Sequence, residues 1–252
     1  MAQLEGEDKL LISRAEDALR IAGDRYCVKT LGFLNPHQRA LAERHLLPDP
    51  DMCVEFDGGY AEAERTLLVC RPEYCIPEPE EYLCLLEFTG RDTAELSHRD
   101  YLGSLMGLGI TRENIGDILV LENRALAFVK PEIAAYIMQN LTKIGRCGVH
   151  IRRTSPAEAE IPPRPVRNVQ GTVSSLRLDS VLSAGIGVSR SKAADLIRGG
   201  LVTVNWEPAQ DVSASLREGD VISVRGHGRM KLSQIGGLTR KNRYSITVSR
   251  YV

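Results

Sequence analysis

Twelve residues, Thr154-Ser155-Pro156-Ala157-Glu158-Ala159-Glu160-Ile161-Pro162-Pro163-Arg164-Pro165, constrain this chain more than any others, because four of them are proline. Each proline fixes its own φ and removes an N–H, and each pushes the residue before it out of the helical region. The spacing forbids a helix through the middle of the run and predicts an extended connector over 154–175. The chain is therefore expected to fold in parts, and its 252 residues leave room for a core on either side. A weaker boundary falls at 72–79, where Pro72, Pro77 and Pro79 interrupt the pattern. The expected organisation is a helical subdomain with short strands over 1–75, an α/β domain over 76–153, the connector, and a further domain over 176–252.

The parts differ in charge. From position 164 onward there are 14 Lys and Arg against 6 Asp and Glu, a balance of +8, whereas the first 163 residues carry 18 against 27, a balance of −9. Such a split points to an end that binds nucleic acid or another anionic surface, joined to an acidic remainder. With 43% hydrophobic and 26% charged residues, the composition is that of a soluble globular protein. No run of 18 apolar residues occurs, which argues against a spanning helix. The first eight residues lack the basic region and apolar core of a secretory signal, so a cytoplasmic protein is expected. The six cysteines, Cys27, Cys53, Cys70, Cys75, Cys84 and Cys147, are too sparse for a disulfide scaffold and form no CxxC pair, so they read as reduced thiols.

Residues 4–47 read as helices. Leu10, Leu11, Ala15, Ala18, Leu19 and Ala22 recur at three- and four-residue spacing with Gly23 as a stop, and Asn35-Pro36 is a cap followed by a first-turn proline. Strands are expected at 54–56 and 66–69. Further on the order is clearer: a strand at 83–88, a helix at 96–108, a hairpin of 117–121 and 125–129, a helix at 132–144 and a strand at 147–151. That βαββαβ order is the split-βαβ, ferredoxin-like arrangement, so the fold class is α+β. Such sheets often bind RNA through stacking aromatics, but the expected central strands offer only Phe88 and Phe128, which read as core.

Residues 176–231 carry the functional signal. Leu178, Val181 and Leu182 form an apolar stripe on a helix closed by Gly185. Ser189 caps a second helix, 190–198, with Ala193, Ala194, Leu196 and Ile197 on one side and Ser191, Lys192, Asp195 and Arg198 on the other. An alternating strand at 201–205, a turn around Glu207-Pro208, a strand at 221–224 and the run Arg225-Gly226-His227-Gly228-Arg229-Met230-Lys231 complete the stretch. The series Arg177-Leu178-Asp179, Leu182, Ser189-Arg190, Ala194, Ile197, Gly200, Val202, Val204, Asn205, Leu216, Gly219-Asp220, Ile222, Val224 and Gly226/Gly228/Arg229 resembles the S4 (αL) RNA-binding domain. Trp206 departs from it, standing where that family commonly has Gly after Asn. Free N–H groups at the start of the second helix, with Arg190 and Lys192, suit a phosphate, and Arg177, Arg198, Arg225, Arg229 and Lys231 could follow a folded RNA backbone. The resemblance adds Ser189 and Asn205 to this expected RNA-binding set.

The front half narrows the resemblance. Phe33-Leu34-Asn35-Pro36, Phe88-Thr89-Gly90, the run 96–110, Arg112-Glu113-Asn114-Ile115-Gly116-Asp117-Ile118 and Arg152-Arg153-Thr154 are similar to the YlmH-type S4 proteins, whose cyanobacterial relatives are called photosystem II S4 domain proteins. The resemblance implies a bacterial, cytosolic, non-catalytic monomer that binds rRNA of the large ribosomal subunit, with peptidyl-tRNA as a further partner, in rescue of stalled subunits. Cell-division or photosystem-assembly scaffolding, with RNA binding secondary, is the alternative it leaves open, and an RNA-modifying enzyme is a further one. Arg99 and Arg112 are a possible second RNA contact.

Other chemistry finds little support. His98-Arg99-Asp100 is similar to the kinase catalytic loop, but Leu105 stands where that motif needs Asn and no Asp-Phe-Gly occurs, so the triplet reads as a helix start. His37 and His45 lie eight apart with no Cys or carboxylate at ligand spacing, so no metal or cofactor is expected. Pseudouridine synthases and RNA methyltransferases carry catalytic domains after S4, whereas only about 20 residues follow Lys231 here. The His/Lys nucleotide motifs of tyrosyl-tRNA synthetases are missing as well.

Overall fold

The computed structural model describes residues 6–91, 93–163 and 166–251. Leu4, the expected start of the first helix, and Arg164 and Pro165 of the proline run lie outside them. The chain divides into two compact units, Met1–Pro162 and Pro163–Val252.

The first unit begins with α1 (Gly6–Arg25), β1 (Lys29–Leu34), α2 (Pro36–His45), β2 (Met52–Asp57) and β3 (Thr66–Pro72). Asn35 caps α2 as its sequence implies, accepting from the Gln38 N–H at 2.9 Å while the Gln38 side chain accepts from the Asn35 N–H at 2.9 Å. Gly23 does not end α1. The left-handed position is taken by Tyr26 (φ 51°), and the Tyr26 and Cys27 N–H groups bond the Gly23 and Ala22 carbonyls at 3.3 and 3.1 Å. That is the Schellman arrangement, built on a tyrosine. Lys29–Leu34, expected to be helical, is instead an edge strand. It pairs antiparallel with β3, and the sheet order is β1-β3-β2.

There follow β4 (Cys84–Thr89), α3 (His98–Gly107), β5 (Ile115–Val120), β6 (Arg124–Val129), α4 (Pro131–Asn140), β7 (Lys143–Ile144), β8 (Cys147–Gly148), β9 (His150–Thr154) and α5 (Pro156–Ala159). The order β5-β6-β4-β9, antiparallel throughout, is the ferredoxin-like order. The helix expected over 132–144 stops at Asn140. The chain then turns through the small β7–β8 hairpin around Gly145 (φ 58°), so the last strand starts at His150 rather than 147.

The two sheets face one another. Helices α1 and α2 cover one side of the first sheet, where Leu11, Ala15, Ala18 and Ala22 meet Leu31, Leu68 and Cys70. On its other side Phe33, Leu67 and Val69 pack against Leu85, Leu126 and Phe128 of the second sheet and Leu83 just before it. Helices α3 and α4 close the far side, where Tyr101, Leu105, Ala134 and Ile137 meet Leu86, Phe88 and Ala127. The result is four layers, helix, sheet, sheet, helix. It explains why Leu67-Leu68-Val69-Cys70 and Ala125-Leu126-Ala127-Phe128-Val129 are continuous apolar runs, since strands covered on both faces lose the alternation of half-buried ones. Phe88 and Phe128 are both 0% exposed, as the sequence implied. Phe88 meets Tyr101 edge-on at 5.8 Å, and Phe128 stacks on Tyr60 at 5.3 Å.

One polar lock ties the two sheets. The buried Asp117 carboxylate accepts from Tyr60 Oη at 2.8 Å and from the Glu64 and Arg65 N–H groups at 2.7 and 3.2 Å. Arg65 in turn donates to the Phe33 carbonyl on β1 at 2.6 Å and the Ile115 carbonyl on β5 at 3.1 Å. Burial, with the nearby Arg112 charge, pushes the Arg65 guanidinium down to about 10. Gly116 permits the close approach: a Cβ there would sit 2.6 Å from the Phe33 ring.

The second unit contains β10 (Val166–Val173), α6 (Leu178–Ile186), α7 (Arg190–Arg198), β11 (Val202–Val204), β12 (Glu207–Pro208), β13 (Val221–Val224), β14 (Gly228–Leu238) and β15 (Tyr244–Tyr251). Its antiparallel sheet has the order β10-β15-β14-β13-β11-β12, with α6 and α7 packed over Val202, Ile222, Val224, Met230, Leu232 and Val248. The stretch 154–175 is thus largely structured rather than an extended connector. Ser155 caps the short α5, and residues 166–173 pair along the whole length of β15. Gly185 does not close α6. It lies inside the helix, where a Cβ would meet Met230 Sδ at 2.5 Å, and Gly187 (φ 74°) is the left-handed terminus.

Replacing Asp117 by Ala would strand the Tyr60, Glu64 and Arg65 donors between the sheets. It is expected to lower the unfolding free energy by about 2–3 kcal/mol, measured by urea denaturation of the full chain.

Candidate nucleic-acid interface

Of the expected RNA-binding residues, Arg177, Ser189, Arg190, Lys192 and Arg198 gather around α6 and α7, whereas Asn205, Arg225, Arg229 and Lys231 do not. Ser189 is the N-cap of α7, and its side chain accepts from the Lys192 N–H at 3.2 Å. Helix α7 buries Ala193, Ala194, Leu196 and Ile197 and leaves Lys192, Asp195 and Arg198 exposed, as the 100° periodicity requires. Arg198 sits only loosely against Asp195, at 3.9 Å.

Arg177 and Arg190 converge on Asp179. Arg177 Nε lies 3.2 Å from Asp179 Oδ1, and Arg190 Nη2 lies 2.6 Å from Oδ2. The carboxylate is buried while about half of each arginine side chain, 43% and 52%, stays exposed. Burial by itself would raise the Asp179 carboxyl, but the bonds from Arg190 and Arg177 outweigh it and hold the group below the usual carboxylate range. One carboxylate between two guanidinium groups leaves a surplus positive charge, fixed in place at the surface beside the start of α7. Fixed cations lose less side-chain entropy on meeting a phosphate than free ones.

The remaining residues sit elsewhere. Asn205 and Trp206 (φ 48° and 66°) form the two-residue turn between β11 and β12. That turn favours Asn-Gly, so a tryptophan at its second position is strained. The Asn205 amide is committed within the fold, donating to Asp220 at 2.9 Å and accepting from the Val221 N–H at 2.9 Å. Arg225 is exposed in the turn between β13 and β14, beside Gly226 (φ 83°). Arg229 and Lys231 alternate with the buried Met230 and Leu232, so they lie on the sheet face turned away from the helices.

In the first unit, Arg99 is exposed in the first turn of α3. Its neighbour Asp100 accepts from Ser97 N–H and Oγ at 2.8 and 2.6 Å, which accounts for the His98-Arg99-Asp100 run as a capped helix start. Arg112 spends its guanidinium on the Ile115 and Gly116 carbonyls at 2.5 and 3.0 Å, and burial lowers its pKa. The sequence reading missed the clasp on Glu87, a buried carboxylate on β4 that Arg124 binds at 2.8 Å and Arg152 pairs from the neighbouring strand. Only the cross-strand register shows it, since Glu87 and Arg152 are opposite one another. Burial pushes the Cys70 thiol up to about 12 and raises Cys84 as well, consistent with inert packing roles. Among the described residues no group of His, Cys, Asp or Glu could hold a metal, and no helix is long and apolar enough to cross a membrane.

Two helices with outward cations, the second capped by Ser189, laid over an antiparallel sheet, form the part of the chain that is similar to S4 RNA-binding domains. The S4 domain family matches residues 176–222, and the family described as "Putative RNA-binding domain in YlmH" matches residues 77–158. Over 247 residues, 97% of this chain and 95% of the relative, the sequence is 34% identical to the ribosome-associated protein quality control protein P2 of Bacillus subtilis (strain 168). The chain belongs to this YlmH family of ribosome-associated quality control proteins. Over 63% of this chain and 97% of that one, the fold is also similar to that of the cell division protein ylmH from Streptococcus pneumoniae, with a TM-score of 0.51 and 23% identity.

A carboxyl held below its unfolded value stabilises the fold fully above that value, about 3.9 for Asp, and the contribution disappears as pH falls through the folded value. Acid unfolding of the wild type, followed by circular dichroism from about pH 5 to about pH 2, is therefore expected to be steeper than that of Asp179→Asn. Parallel curves would mean that the clamp does not form.

Proposed function

We propose that the protein docks on structured rRNA of the large ribosomal subunit through the α6–α7 face of its S4 domain, and acts there in quality control of stalled subunits that carry peptidyl-tRNA. It does so as a cytoplasmic monomer and by binding, not catalysis. The observation that carries this reading is the pair Arg177 and Arg190 held on buried Asp179, next to the Ser189-capped start of α7 and the exposed Lys192 and Arg198. Side chains cannot read the deep groove of a folded RNA, so recognition relies on fixed cations matched to its phosphates. The name and near full-length match of the Bacillus relative support the ribosome as the place where this happens.

Arg190 holds Asp179, so the cleaner probe of binding is the exposed pair Lys192→Ala with Arg198→Ala. This double variant is expected to weaken RNA binding and to make the log–log salt slope shallower by about 2. In a sucrose gradient of cell lysate the wild type should travel with large subunits and move to the top after RNase or in high salt. Protein that stays at the top in every condition would overturn the ribosome reading.

A further inference from the structure

The first unit raises a problem of its own. Its ferredoxin-like domain falls in the region matched by an RNA-binding family, yet the sheet face on which such domains stack bases is buried under the β1-β3-β2 sheet. We infer that this domain contacts RNA phosphates instead along the exposed β9 edge and the β7–β8 hairpin, through Lys143, Arg146, His150 and Arg153, with Arg152 fixed beside them. The inference rests on the RNA-binding reading above and assigns that reading a second surface.

Three observations support it. Carboxylates make up about one residue in six of the first 163, but residues 133–157 contain none while carrying Lys143, Arg146, Arg152, Arg153 and His150. All five of those side chains are exposed. The strip is also an edge: in the order β5-β6-β4-β9, strand β9 pairs among the described residues with β4 alone, so its outer N–H groups point away from the sheet. Finally, the strip is anchored. Glu87 is buried with Arg124 and Arg152 on it, so this cluster keeps a surplus positive charge and Arg152, 57% exposed, is held in position. Arg153 points to the opposite face of the same strand from Arg152, so cations flank the edge on both sides. Besides buried Glu87, carboxylates come near at the far end of the strand, where Glu158 accepts from Thr154 at 3.3 Å and Asp57, Glu80 and Glu158 line a cleft with Arg153. The rest of the edge, lined by cations, suits a polyanionic backbone running along it and suits no stacked base.

The test uses the full chain with a labelled, structured RNA hairpin and with purified large ribosomal subunits. The variant is Lys143→Ala, Arg146→Ala and Arg153→Ala together. Arg152 is left in place because its loss would strip a partner from buried Glu87. A control variant removes three exposed cations elsewhere in the unit, Lys9→Ala, Arg25→Ala and Lys29→Ala. The edge variant is expected to bind at least about tenfold more weakly with a salt slope shallower by about 3, and the control to match the wild type. In the unmodified protein, bound RNA should shield Lys143 from amine acylation and leave Lys9 and Lys29 reactive, a readout that does not depend on any variant folding. An edge variant with wild-type affinity and slope, or an unshielded Lys143 in the RNA complex, overturns the inference. If the Lys192 and Arg198 variant fails to weaken binding while the edge variant does, the S4 docking reading falls and the edge remains.

Discussion

Strands β3, β4 and β6 are buried on both faces, and the architecture of the first unit follows from that. The two sheets bury their inner faces against each other, and because their outer faces are apolar as well, each needs a helical layer over it, which fixes the four-layer order. Backbone and side-chain polar groups at such a junction have no water to fall back on, so each must be bonded. The Asp117 carboxylate and the Arg65 guanidinium do this at one end of the interface, drawing the Tyr60–Arg65 loop, β1 and β5 together. The same burial withdraws Phe88 and Phe128 from any ligand and leaves the sheet edges, the loops and the outer helix faces for contacts outside the unit.

Both units treat charge in a similar way. A buried carboxylate, Asp179 in one and Glu87 in the other, is clasped by two arginines; Arg177, Arg190 and Arg152 keep their far sides in solvent, while Arg124 also donates to the Ala159 carbonyl. Each clasp neutralises one positive charge and orients the other. Isolated surface ion pairs contribute little, but a carboxylate taken out of water obliges its partners to stay, so these arginines are positioned rather than merely attracted. An acidic overall balance in the first unit is therefore compatible with a locally basic margin, because residues 133–157 carry no carboxylate.

Local chemistry was legible from residues alone. Asn35-Pro36 and Ser189 cap the helices they precede, the two faces of α7 follow its periodicity, and the βαββαβ order yields the observed strand order. Errors arose where a local signal competed with a distant partner. Gly23 and Gly185 looked like helix stops, yet Tyr26 and Gly187 hold the left-handed positions, and Gly185 is small because Met230 packs against it. Lys29–Leu34 carries too little alternation to announce a strand and becomes one because β3 offers it a pairing edge. Residues 166–173 looked like connector for the same reason, since their partner β15 lies more than 70 residues away.

The sequence by itself determined the secondary elements with strong caps and periodicity, the split of charge between the two units, and the family to which the chain belongs. Only the tertiary structure decided which sheet faces are covered and which arginines are fixed or spent. Arg112 is turned onto carbonyls, while Arg177, Arg190 and Arg152 are pinned with one side free. The reason is physical. Caps and periodicity act within a few residues, whereas burial of a face or pairing of a charge depends on which distant strand arrives opposite it, and that is settled only when the layers pack.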